Sequence, residues 1–262
     1  MFDGFRVFLL LVSDGTISYP VACVIYAKAF FDLQLEFAET VAGLAAMPIA
    51  CAVLAYTNLY ARFGLGRDFD PQHPIWRDYL AGLHETNDHR EWTYRFYLTR
   101  PHAAPPPGQV ATFGCFGYAR LTDDRIRLHF DNVETGGRSP LSRECQTRRI
   151  ADLTALFAHV RRTEGEFVTV VGASWLYNIE AYRRLFPTSY LATAQVAPQR
   201  FQYMPLWGQF VNRRGEIKED MAREFRRRLA HQSNVDSLDG CFPFQVLRLK
   251  APVLTFYEWY RV

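Results

Sequence analysis

The chain has no closely spaced cysteine pair, no strong excess of one charge sign and no internal repeat. Its five cysteines, at 23, 51, 115, 145 and 241, each lie more than four residues from the next. That spacing excludes a zinc ribbon and a Cys-x-x-Cys redox pair. The odd number and wide spacing fit reduced thiols in a cytoplasmic protein, with one disulfide still compatible. Thirty basic residues against 27 acidic ones leave a formal charge of +3, too balanced to demand a nucleic-acid partner. The opening, MFDGFRVFLLLVSDG, lacks the basic start and long apolar stretch of a secretory signal. Its apolar run, Val7 to Val12, reads instead as a strand or the start of a buried helix. Thr40 to Ala61 carries no charged side chain and is long enough for a bilayer. Pro48, Thr57 and Asn58, with no positive cluster at its flanks, predict a buried helix pair broken at Pro48 instead.

What is present in quantity is apolar and aromatic. Hydrophobic residues make up 49% and charged residues 22%, which excludes disorder, collagen and coiled coil as overall descriptions. Twenty-one Phe and 14 Tyr can build a dense core. A length of 262 residues suits one large domain or two modest ones. Residues 16–66 read as helical, up to a stop at Phe63-Gly64-Leu65-Gly66. A short helix follows, with Pro74 in its first turn and Trp76, Tyr79, Leu80 and Leu83 on one face. Glu91 to Leu98 alternates bulky residues and predicts a strand. Residues 101–109 hold three consecutive prolines. They either link a mainly helical part, 1–100, to an α/β part, 110–262, or form a surface loop within a single domain.

Beyond the prolines, VATFGCFGYAR and RIRLHFDNV predict a hairpin, with Gly114 and Gly117 marking a bulge or a close backbone approach. A helix is expected from a Ser139-Pro140 cap to about Arg162, with Ile150, Leu153, Phe157 and Val160 on one face. FVTVVGA predicts a short apolar strand, and SWLYNIEAYRRLFP a loop and helix closed by Pro187. A strand is expected over Tyr190 to Val196 and an amphipathic helix over Glu216 to Gln232. The end of the chain predicts two strands split at Pro252. The fold class is α+β: a helical N-terminal part, then a mixed or antiparallel sheet packed with helices.

Two regions concentrate polar chemistry. In the first, a strand runs into a glycine-bearing turn and then a helix N-terminus, an arrangement that exposes N–H groups to an anion. Gly136, Gly137, Arg138 and Ser139 are the candidate phosphate or anion ligands, with Arg143 and Arg148 nearby. No Gly-Lys-Ser/Thr ending is present, so a P-loop is excluded. His129, at the strand end beside Asn132, is the candidate general base. The second region follows a buried strand, where α/β sheets tend to hold ligands. It offers Ser174, Trp175, Tyr177 and Asn178, then Glu180, Tyr182 and Arg183. Gly-Ala-Ser-Trp-Leu is not a nucleophile elbow, because Leu176 stands where the second glycine belongs. His84 and His89 are five apart, not the four a zinc helix needs, so no metal site is assigned. Trp207, Gln209 and Asn212 line a cleft or form a turn, and Arg223 and Arg226 to Arg228 read as a solvated helix face.

The order hairpin, Gly-rich turn, helix, strand and Asn-containing helix over residues 110–187 resembles the core of the GNAT acyltransferases. Asn178-Ile179-Glu180-Ala181, with Tyr182, Leu185 and Phe186 downstream, matches that family's Asn-x-x-Ala segment and Tyr-rich end. The family's Arg/Gln-x-x-Gly-x-Gly/Ala loop is absent; Gly136-Gly137-Arg138 has its composition but not its spacing. The resemblance implies acetyl-CoA or another acyl-CoA as cofactor, held through its phosphates by Gly136 to Ser139. It implies that Asn178 positions a reacting group and that Tyr182 or His129 handles the proton. Ser174, Trp175 and Tyr177 would contact the substrate. The same region is faintly similar to histidine phosphatases through Ser-Pro-Leu-Ser, but Leu128-His129-Phe130 stands where their Arg-His-Gly belongs. A non-catalytic ligand-binding or self-associating protein is the alternative, its aromatic excess then serving an apolar pocket or a contact between copies.

Overall fold

The computed structural model describes residues 24–66, 68–100, 109–134, 138–197 and 205–262. The Val7–Val12 run, Cys23, most of the proline segment, Gly136 and Gly137 lie outside the described residues. The chain is an α+β fold built on a six-stranded mixed sheet packed with helices.

The helical part opens with α1 (Lys28–Ala45), whose wide apolar face buries Phe30, Phe31, Leu33, Phe37 and Val41. Ala46 takes a left-handed conformation, and Met47 N–H reaches back to the Ala42 carbonyl, closing the helix just before Pro48. After it come α2 (Ile49–Tyr56) and α3 (Leu59–Arg62), so the expected break at Pro48 is there. Among the described residues no helix is long and apolar enough to cross a membrane. Next, α4 (Pro74–Glu85) starts on its proline and buries Trp76, Tyr79 and Leu83.

The strand expected over Glu91 to Leu98 is instead a helix, α5 (His89–Leu98). Asp88 caps it by accepting from Glu91 N–H at 2.9 Å. Thr93, Phe96 and Tyr97 are its buried residues, a three- and four-residue spacing that the alternation of bulk concealed.

The sheet follows the proline segment. VATFGCFGYAR is not one strand but two, β1 (Gln109–Phe113) and β2 (Phe116–Thr122), joined by a tight turn at Gly114-Cys115. Gly114 has φ +56°, and a side chain there would strike the Asp152 carboxylate. β3 (Arg125–Phe130) pairs antiparallel with β2. The helix expected from Ser139 begins seven residues later, as α6 (Gln146–Thr163). Residues 139–145 form turns closed by three-residue hydrogen bonds, Ser142 N to Ser139 O at 3.0 Å and Cys145 N to Ser142 O at 3.2 Å. α6 carries the chain to β4 (Thr169–Ser174), which lies parallel to β3.

Beyond β4, Trp175–Asn178 is a 3-10 turn, followed by two four-residue helices, α7 (Glu180–Arg183) and α8 (Thr188–Leu191). Pro187 precedes α8 and caps it rather than closing one longer helix. The strand expected from Tyr190 shrinks to β5 (Gln195–Val196), because Tyr190 is drawn into the core from α8. A second 3-10 segment, Pro205–Phe210, leads to α9 (Glu219–Leu229), shorter than expected but buried through Ala222, Phe225 and Leu229. β6 (Leu247–Pro252) slots between β4 and β5. The last expected strand is α10 (Leu254–Tyr260), which buries Phe256, Tyr257 and Tyr260.

Two cores result. One joins the helices of residues 30–97 to Leu206, Trp207, Phe210, Phe225 and Phe242. The other lines one sheet face beneath α6 and α10. The core crosses the proline segment: residues 206–246 pack with the N-terminal helices, and Ala173 of β4 packs against the same cluster.

Candidate functional site

The only parallel pairing among the described residues, β3 with β4, lasts three residue pairs, from Arg125↔Thr169 to Arg127↔Val171. After that the strands part. Leu128, His129 and Phe130 stay with β2, while Gly172, Ala173 and Ser174 stay with β6. The sheet therefore splits at the carboxyl ends of two adjacent parallel strands, with α6 crossing between them. The carboxyl ends of parallel strands are where open α/β sheets tend to hold ligands.

One face of the split is filled by rings. Tyr182 packs on Phe130 at 5.5 Å between centroids and on Tyr177 at 5.1 Å, and Phe116 lies 5.2 Å from Phe130. Gly172 leaves room for the Tyr177 and Tyr190 hydroxyls, which bond each other at 2.9 Å. On the other face the strand alternation places half-buried His129 and Ala173. Ala173 and Trp175 pack there against the helical core.

The loop after β3 carries the first candidate group. Arg138 and Ser139 are exposed, and the Ser139 hydroxyl accepts from Leu141 N–H at 3.3 Å. Arg148 is not free, since it pairs with Glu134 at 3.1 Å. Arg138 and Arg184 lie close enough to Glu144 to help hold its carboxyl below the usual range, after the hydrogen bond from Ser142. The group after β4 is contiguous but largely committed. Ser174 caps the 3-10 turn, accepting from Leu176 N–H at 3.1 Å. Asn178 spends its amide N–H groups on the Trp175 and Gln245 carbonyls, both at 2.8 Å. Burial pushes the Tyr182 and Tyr177 hydroxyls well above the ordinary tyrosine range. Neither is poised to give up a proton near neutrality. A cavity of about 290 Å³ lies beside them, lined by Tyr177, Asn178, Arg183, Leu191, Leu247 and Leu249. Trp207 and Gln209 are fully buried, so they belong to the helical core. Among the described residues no group of His, Cys, Asp and Glu is placed to hold a metal.

Sequence reasoning missed the anchor of the loop. Arg149, fully buried, meets Glu134 at 2.8 Å and Asp152 at 3.0 Å, and also donates to the Cys115 sulfur. Asp152 in turn accepts from Cys115 N–H at 3.3 Å. One guanidinium thus ties the β1–β2 turn, the loop after β3 and α6 together. Burial raises the Asp152 carboxyl above the usual range, and Arg149 opposes that rise. The signal was an arginine four residues before Leu153, in line with the apolar stripe.

No family model matches the chain, and no curated protein or solved structure is similar enough to count as a match.

Proposed function

We propose that the protein binds a phosphate-bearing acyl thioester of the acetyl-CoA kind where β3 and β4 part, and transfers its acyl group to a small acceptor. The observation that carries this is the split itself: three parallel pairs, then divergence, with α6 crossing between the strands. Arg138 and Ser139, both exposed after β3, would meet the phosphates through their side chains, since α6 starts only at Gln146 and offers them no helix N-terminus. The order of hairpin, helix and strand supports carrying the resemblance to the GNAT acyltransferases into this reading, with Asn178 in a 3-10 turn where that resemblance had a helix. Of the two candidate proton handlers, the geometry favours His129 over the sealed hydroxyl of Tyr182. Asn178 then acts by holding the 3-10 turn against residue 245 rather than by touching the acyl group.

Thermal unfolding with and without acetyl-CoA tests the reading. Ligand at a hundred times its Kd adds about 2.7 kcal/mol, a rise in Tm of several degrees for a chain of this size. No rise at saturating acetyl-CoA overturns it. A second reading, a binding protein without catalysis, is favoured by the internal commitment of Asn178 and Tyr182. It expects the rise in Tm without turnover of acetyl-CoA in a screen of amine acceptors.

A further inference from the structure

The cavity of about 290 Å³ beside Tyr177 has walls of two kinds. One kind is apolar. Leu247 and Leu249 stand on the same face of β6, opposite Ser174 and Gly172 of β4. Gly172 has no side chain to add there, and the Tyr177 and Tyr190 hydroxyls take up the room it leaves. Leu191, at the end of α8, and Ala194, just beyond it, complete the apolar side. Leu191 and Leu247 are only half-buried and Ala194 is exposed, so the apolar lining is open to water. The other kind of wall is polar, and comes from Asn178 of the 3-10 turn and Arg183 of α7.

The polar groups differ in what they have left to give. Both amide N–H bonds of Asn178 go to backbone carbonyls at 2.8 Å. The Tyr177 hydroxyl is bonded to that of Tyr190 at 2.9 Å. Arg183 is exposed, and among the described residues its guanidinium has no ion pair and no hydrogen bond. Glu180, one turn earlier on α7, is exposed and makes no ion pair with it. No carboxylate lines the cavity. The neighbouring Arg184 shows the contrast, since it donates to the Leu141 carbonyl at 2.8 Å. A guanidinium presents a planar fork of N–H donors that matches the two oxygens of a carboxylate. The apolar walls beside this fork match a hydrocarbon body. The volume is at the small end of ligand pockets, which run from about 300 to 1,000 Å³, so the body is a short chain or a single ring.

We propose that this cavity binds a small monocarboxylate with an apolar body. Its carboxylate meets the Arg183 guanidinium, and its hydrocarbon lies against Leu191, Leu247 and Leu249. Each half of the ligand answers one wall. An alcohol of the same body leaves the guanidinium unused, and a bare carboxylate leaves the apolar lining wet. The proposal does not rest on the thioester reading, because the loop after β3 contributes nothing to this cavity.

Calorimetric titration of the full chain with hexanoate tests this, with hexanol and acetate as the two half-ligands. Saturable hexanoate binding is expected, at least about tenfold tighter than either half-ligand. Arg183→Gln should bring hexanoate down to the level of hexanol. The Tm should not move, because the side chain is exposed and has no partner to lose. Ala194→Trp, at the exposed edge, should fill the cavity and weaken hexanoate and hexanol alike. Absence of saturable hexanoate binding overturns the proposal. So does hexanol binding as tightly as hexanoate, or hexanoate binding that Arg183→Gln leaves unchanged. These titrations contain no acetyl-CoA, so their failure leaves the thioester reading standing. Failure of the thermal shift with acetyl-CoA likewise leaves the carboxylate site standing.

Discussion

The two cores are built on different principles. The helical core is closed by aromatic rings from distant parts of the chain. Phe37 of α1 lies 5.5 Å from Trp207, 5.7 Å from Phe225 and 5.3 Å from Phe242. Its buried polar groups serve the packing, as where Gln34 donates to the Phe30 carbonyl and accepts from Asn58 N–H, and where the Trp207 indole N–H donates to the Tyr56 carbonyl at 3.2 Å. The sheet core is tied by polar groups between elements. Tyr177 bonds Tyr190, Tyr260 reaches the Leu185 carbonyl at 2.6 Å, and Arg149 joins three segments. Ring packing dominates where the elements are helices that satisfy their own backbones. The sheet core has to fix loops at a split edge, and buried hydrogen bonds supply direction that packing lacks.

That contrast predicts different responses to damage. The largest loss is expected from Trp207→Ala, about 3–5 kcal/mol for emptying a buried aromatic site. Chemical denaturation should find this loss nearly the same at pH 5 and pH 7, since no titrating group is uncovered. Arg149→Met should cost a comparable amount, about 3–5 kcal/mol, because it removes the buried guanidinium that two half-buried carboxylates face. Here the loss should depend on pH. Asp152 already holds its proton more tightly folded than unfolded, and removing Arg149 strengthens that preference. A group with a raised folded pKa favours the folded state more as pH falls, so the gap to wild type narrows on acidification. A gap independent of pH would erase the distinction between the cores.

Much of this contrast was legible in part. The Pro48 break, the hairpin region, α6, β4 and α9 were all visible as periodic patterns between breakers, because apolar spacing records which face is buried. Two elements were read with the wrong period. Residues 91–98 and 254–260 are rich in aromatic residues, whose bulk fits a strand or a helix equally until a partner surface selects one. The membership of residues 206–246 in the helical core was not legible at all, since contact between distant segments leaves no local trace. The candidate site divides in the same way. The region after β4 stood out by its polar density, yet most of those groups turned out to satisfy one another. Arg149 was overlooked because its significance lies in what surrounds it.

Smaller effects sharpen the comparison further. Tyr190→Phe should cost about 1 kcal/mol by leaving the Tyr177 hydroxyl without its partner, measured by urea unfolding. The smallest effect near neutrality is that of the raised tyrosine pKa values, which acts only in alkali. Burial pushes Tyr257 of the sheet core up to about 12, and burial with the charge of Asp68 does the same for Tyr60 of the helical core. The unfolded chain ionises these tyrosines near pH 10 while the folded chain keeps them protonated. Stability should therefore hold up to about pH 10 and fall between there and about pH 12. A Tm that stays level through that window would show that these hydroxyls titrate as exposed groups do.

Composition and local pattern determined that this chain would bury a dense aromatic core, that it would mix helices with a sheet, and roughly where several of the elements lie. Those are properties of nearest neighbours and of periodicity, and both are written along the chain. Only the tertiary structure decided that β3 and β4 run side by side for three pairs and then part. It alone brought residues 206–246 back to the first helices and buried Arg149 among acids. Burial and ion pairing are set by neighbours in space, and those neighbours come together only when the chain has folded.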